Sequence, residues 1–197
     1  MTATSPARRQ TLPAGEADAV QRRHIVSALV VDRPGTLNRV SGLLRARSFN
    51  IESLTVGTTH EPGKSRMTIA IRGDDGHLRQ VLAQLERLLE VLEVTDLTGV
   101  QHIELELVLV EITPPRTPVE EHALAAILTA ACGETLSTHP DVWRARLTAS
   151  PDRVNDALEA LRGLGLRSLV RAGAVAMATH PANPNETRSS ENGATTA

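Results

Sequence analysis

Asp32, Gly35, Thr36, Leu37 and Asn50 are the residues whose types and spacing could do chemistry on a small molecule. Asp32-Arg33-Pro34-Gly35 is a turn signal. Pro34 suits the second turn position, and Gly35 the third, where positive φ is required. Thr36 is placed to cap a following helix. Backbone N–H groups at Gly35, Thr36 and Leu37 then point off a helix N-terminus, whose dipole favours an anion. Asp32, at the end of the preceding strand, can take an ammonium group. A carboxylate site beside an ammonium site describes an α-amino acid. Asn50, opening the next strand, supplies both a donor and an acceptor. The same residues also make an ordinary strand-to-helix turn, and spacing alone favours that plainer reading.

No catalytic or metal-binding constellation competes with this stretch. The 7 histidines are scattered, and no H-E-x-x-H occurs. Glu120-Glu121-His122 reads as a solvated first helical turn matched to the dipole. The run from Gly163 to Ser168 mimics part of G-x-G-x-x-G, but it follows a helix and precedes a strand, the reverse of the required order. Cys132, the only cysteine, excludes an intrachain disulfide and reads as a small core residue of an Ala-rich helix.

Composition narrows the partners. Lys+Arg (21) nearly balance Asp+Glu (23), for a net charge of -2, so neither a nucleic-acid surface nor a polybasic membrane patch is expected. No apolar run is long enough for a transmembrane helix, and the N-terminus lacks the apolar region of a signal peptide. A cytoplasmic protein is the expectation. The aromatic residues are Phe49 and Trp143, so the core must be aliphatic.

The elements that position Asp32 and Asn50 follow from hydrophobic spacing. Residues 24–32 read as a strand with Ile25, Leu29 and Val31 on one face and Val26, Ala28 and Val30 on the other. Both faces are apolar, and helices can cover only one. A second domain or oligomerisation must cover the other. Leu37, Val40, Leu43 and Leu44 form a helical stripe. Residues 49–59 read as a strand whose alternation slips near Glu52-Ser53, which points to a bulge. Glu61-Pro62-Gly63-Lys64 is a hairpin turn, and Met67, Ile69 and Ile71 mark the next strand. Leu78, Val81, Leu82, Leu85, Leu88 and Leu89 fall at helical spacing before a short strand at residues 91–99.

The second half repeats this order. Residues 102–113 form a strand with Ile103, Leu105, Leu107 and Leu109 on one face. A helix at 119–132, two strands around His139-Pro140-Asp141, a helix at 152–164 and a final strand complete the unit. The fold class is therefore α+β, with two tandem ferredoxin-like βαββαβ domains at 23–100 and 101–180. Residues 1–22 and 181–197 are polar or Pro-containing and read as disordered. The βαββαβ layout also serves RNA-binding domains, which stack bases on sheet aromatics, but the first and third strands here carry none.

The stretch from Val31 to Gly57, "VDRPGTLNRVSGLLRARSFNIESLTVG", with "SRMTI" from Ser65, closely resembles the N-terminal ACT domain of acetolactate synthase (acetohydroxyacid synthase) small subunits. "RAGAVAMATH" near the end is similar to that family's second domain. The resemblance implies an ACT domain followed by an ACT-like domain, and a regulatory subunit with no active site of its own. It implies a large catalytic partner subunit that carries thiamine diphosphate, Mg²⁺ and FAD, with no cofactor in this chain. It implies a homodimer through the ACT domains, with valine or another branched-chain amino acid bound between them as feedback inhibitor. Carried over to this sequence, the effector contacts are Asp32, Gly35, Thr36 and Leu37 from one subunit and Asn50 and Ile51 from the other. The position of Asp32 is often asparagine in the family, so an aspartate adds a charge there. The alternative is an ACT-domain sensor that regulates a different amino-acid enzyme.

Overall fold

The computed structural model describes residues 22–46 and 50–180. The first unit runs β1 (Arg22–Val31), α1 (Thr36–Ala46), β2 (Asn50–Thr58), β3 (Lys64–Gly73), α2 (Asp75–Leu85) and β4 (Val91–Asp96). The second runs β5 (His102–Ile112), α3 (Pro118–Ala130), β6 (Glu134–His139), β7 (Val142–Ala149), α4 (Pro151–Gly163) and β8 (Leu166–Ala178). Each unit is a four-stranded antiparallel sheet, in the orders β2-β3-β1-β4 and β6-β7-β5-β8. The α+β reading with two βαββαβ units is what the chain adopts. Of residues 1–22 and 181–197, read from composition as disordered, Arg22 opens β1 by pairing with Gly73, and the rest lie outside the described residues, as does Phe49.

Alternation along the strands builds the first core. Val26, Ala28 and Val30 of β1 pair with Ile69, Met67 and Ser65 of β3, and the helices cover this face through Val40, Leu44, Val81 and Leu85. The slip expected near Glu52-Ser53 is a β-bulge: Ile51 pairs with Ile71 and Ser53 with Ala70, which leaves Glu52 as the extra residue. α2 starts where Asp74 accepts a 2.8 Å hydrogen bond from the His77 backbone N–H. It stops at Leu85, earlier than the leucine spacing suggests. The Leu88 N–H folds back onto the Leu85 carbonyl at 3.0 Å, and the tightened turn leaves Leu89 91% exposed.

One sequence expectation in the second unit needs correction. Cys132 is exposed rather than buried. α3 ends before it, and Cys132 takes φ 48 while the Gly133 N–H bonds the Leu128 carbonyl at 2.7 Å, so the chain leaves the helix through a left-handed residue. The leucine face of β5, Ile103, Leu105, Leu107 and Leu109, is exposed. The opposite face carries the core through Val108, Val110 and Ile112, which meet Leu124, Leu158 and Leu161 of the helices.

The open faces of the two sheets meet. Ile25, Ala70 and Leu97 of the first unit enclose a small cluster with Ala176 of β8. The cover demanded by the two-sided apolar β1 thus comes, over Ile25, from the second unit of the same chain. β8 approaches β2 closely enough that the Thr55 hydroxyl reaches the Ala172 carbonyl, 3.4 Å away.

Candidate functional site

The β1–α1 turn has the geometry that its sequence demands. The Thr36 N–H bonds the Arg33 carbonyl at 3.2 Å, and Gly35 sits at φ 94, a region open to glycine. The first helical bond is from the Arg39 N–H to the Gly35 carbonyl, at 3.0 Å. Gly35 is therefore the cap, and Thr36 is the first helical residue. The Thr36 hydroxyl, expected as the cap, instead donates to the Val31 carbonyl at 3.0 Å and ties the helix start to the strand end.

This arrangement decides which N–H groups remain for a ligand. The Thr36 N–H is used by the turn. Those of Gly35 and Leu37 have no acceptor among the described residues. Two donors at the positive end of an eleven-residue helix suit a carboxylate. The Asp32 carboxylate is exposed and makes no hydrogen bond or ion pair among the described residues, while its own N–H bonds the Gly63 carbonyl at 2.8 Å. Leu37 departs from the core stripe formed by Val40 and Leu44. It is 47% exposed on the turn side of α1 and offers an apolar wall.

Asn50 and Ile51 are not brought to this turn within one chain. Asn50 pairs with Arg72 of β3, and Arg72 pairs with Arg23 at the start of β1. Asp32 follows the other end of β1, so the two halves of the site are separated by about 30 Å of strand at 3.3 Å per residue. Asn50 is exposed, whereas Ile51 is half-buried against the first core. The site residues expected from the sequence therefore fall in two groups at opposite ends of one sheet.

Among the described residues, no group of three or more His, Cys, Asp or Glu could hold a metal ion. Glu120 accepts from the Arg116 N–H at 2.6 Å, and the Thr117 hydroxyl caps α3, so Glu120-Glu121-His122 is a helix start. Gly165 takes φ 87 in the turn before β8, as a link from helix to strand requires.

One feature escaped the sequence reading. Glu104 and Glu106 alternate with the leucines of β5 and point to the junction between the units. Arg23 of β1 holds Glu104 through two hydrogen bonds, at 2.6 and 3.0 Å, and Glu52 through a third, at 3.0 Å. Arg171 of β8 holds both oxygens of Glu106, a residue only 4% exposed, and donates to Asn155 of α4 at 3.0 Å. The hydrogen bond to Glu104 raises the Arg23 pKa above its ordinary value, and that to Glu106 does the same for Arg171. Carboxylates alternating with leucines along a strand signal only a two-sided surface. Which basic residue faces them is a tertiary fact.

Comparison with known proteins falls on both units. A family model described as the AHAS small subunit-like ACT domain matches residues 26–93, and one described as the small subunit of acetolactate synthase matches 105–180. The chain is 38% identical over 156 residues to the acetolactate synthase small subunit of Aquifex aeolicus, covering 79% of this chain and 81% of that protein. It is 33% identical over 158 residues to the corresponding Mycolicibacterium smegmatis protein, covering 80% and 92%. The crystal structure of the acetolactate synthase small subunit from Thermotoga maritima superposes with a TM-score of 0.72 at 30% identity, covering 80% of this chain and 97% of that one.

Proposed function

The chain belongs to the acetolactate synthase small-subunit family, and from that premise we propose that it regulates the catalytic subunit as a homodimer that binds a branched-chain amino acid. It docks on the large subunit, raises its activity and confers feedback inhibition, with valine as the effector. The reaction condenses two 2-oxo acids on the way to valine, leucine and isoleucine. Thiamine diphosphate, Mg²⁺ and FAD belong to that partner, and no residue of this chain is assigned to them. The working compartment is the cytoplasm. Among the described residues, no helix is long and apolar enough to cross a membrane.

The observation that carries the effector reading is the pair of unused N–H groups at Gly35 and Leu37 beside the free Asp32 carboxylate. The N–H pair takes the ligand carboxylate, Asp32 takes its ammonium group, and Leu37 walls an aliphatic side chain. The distance to Asn50 and Ile51 argues for a second copy. β2 is an edge strand, and two β2 edges paired antiparallel about a two-fold axis set Asn50 of one protomer opposite Thr58 of the other. Thr58 pairs with Ser65, and Ser65 with Val30, at the end of the sheet that carries Asp32. Such a dimer completes both half-sites at once.

Calorimetric titration of valine into the dimeric chain tests this reading. One site per half-site pair is expected in the wild type. Gly35→Asp should abolish binding, because it places an anion where the ligand carboxylate sits. Unchanged valine affinity in that variant would remove the site from the β1–α1 turn.

A further inference from the structure

We infer that Glu52 and Arg23 link the effector site to the second unit, with Glu104 as the receiving group. The inference rests on the effector reading above and names how that site would be heard elsewhere in the chain.

Glu52 directly follows Asn50 and Ile51. It is the extra residue of the β2 bulge, with no partner of its own in β3. The bulge turns its carboxylate onto the open face of the sheet. There one oxygen accepts from Arg72 Nε at 2.7 Å and the other from Arg23 Nε at 3.0 Å. Arg23 spends its two remaining nitrogens on Glu104 of β5. Asn50, Ile51, Glu52, Arg23 and Glu104 thus form an unbroken run from half-site to second unit. A guanidinium fork fixes both distance and orientation, so a displaced Glu52 must either carry Arg23 with it or release it.

The junction beside this run is poised to shift. The Ser53 hydroxyl, next to Glu52, is buried and has no hydrogen-bond partner in this arrangement. A buried polar group left unmade is costly, so a displacement of β2 that satisfies Ser53 competes with the arrangement observed. The bulge is where β2 can move, because its register on either side is set by one unpaired residue. An amino acid gripped by Asn50 and Ile51 holds the strand immediately before that residue. Two residues beyond Glu104, Glu106 and Arg171 extend the ionic contact into β8, and Arg171 extends it to Asn155 of α4. A change at Glu104 is therefore felt across the second unit.

The plainer role for these residues is to hold the two units together, and the test separates the roles. The full-length chain is assayed with its catalytic subunit. Glu104→Gln removes the receiving charge without touching any half-site residue. Valine affinity by calorimetry and activation without valine should stay as in the wild type, while inhibition at saturating valine weakens, with the residual rate rising by up to about ten-fold, within the usual range of allosteric coupling. Arg23→Lys keeps the charge but loses the fork, and should behave alike. The double variant should be no worse than either single one, as expected of one shared interaction. Wild-type inhibition in Glu104→Gln overturns the link, and so does a parallel loss of binding and inhibition. If Glu104→Gln does not fold, Arg23→Lys alone decides by the same comparison. A wild-type chain that binds no valine would instead overturn the effector site, and the link with it.

Discussion

Gly173 of β8 lies so close to Thr55 of β2 that a Cβ on the glycine would stand 2.7 Å from the Thr55 hydroxyl oxygen. Gly173 also takes φ 85, so both the space and the backbone require glycine. Gly173→Ala should destabilise the junction by about 1–3 kcal/mol, the range for a strained backbone residue. Gly163, at the end of α4, is the control. A Cβ there meets nothing within 4 Å and φ is not positive, so Gly163→Ala should be neutral or slightly stabilising. Urea unfolding of the two variants checks the contrast.

Asp32 places a negative charge beside the β1–α1 turn, at a position where the family resemblance implies that asparagine is common. Asp32→Asn removes the proposed partner of the ligand ammonium but leaves the turn intact, because only the Asp32 N–H takes part in it. Valine affinity should fall by roughly ten-fold, consistent with the loss of a hydrogen bond to a charged group. Activation of the catalytic subunit without valine should stay the same. Isothermal titration and a valine-free rate assay read the two quantities separately.

Cys132 is a non-glycine residue at positive φ on an exposed corner. The left-handed region costs an ordinary side chain about 1–2 kcal/mol, and asparagine tolerates it best after glycine. Cys132→Asn should therefore raise the melting temperature, while Cys132→Val, with a β-branched side chain, should lower it. Thermal unfolding under reducing conditions measures both.

Asp74 caps α2, and hydrogen bonds from the His77 backbone N–H, then from its ring, hold the Asp74 carboxyl below its ordinary pKa. A depressed folded-state pKa contributes stability that is complete above the unfolded value and is lost as pH falls through the folded one. The first unit should therefore lose stability on acidification. Asp74→Asn should flatten this dependence in the acidic range while it keeps the cap. Denaturant midpoints from neutral to acidic pH in both proteins give the answer.

Both units, the order of elements along the chain and the bulge at Glu52 were legible because period and turn residues state them locally. Pro34-Gly35 and Pro62-Gly63 placed two turns, and the broken alternation after Ile51 placed the bulge. The buried side of β5 was not legible. Ile103, Leu105, Leu107 and Leu109 form a continuous apolar stripe, yet the helices cover Val108 and Val110. Cys132 misled for a similar reason, since helix composition extends past the residue where the backbone turns. The turn geometry at Asp32, Gly35 and Leu37 was readable from turn chemistry. Its separation from Asn50 was implied by the family resemblance and not by turn chemistry, because sheet order decides which strand ends are neighbours.

The most direct test is acetolactate formation by the organism's catalytic subunit, with and without this chain, across a valine titration. Activation by the chain that valine then reverses is the expected result. No change in rate on adding the chain would contradict the account, and activation that valine does not touch would contradict the effector site at Asp32, Gly35 and Leu37.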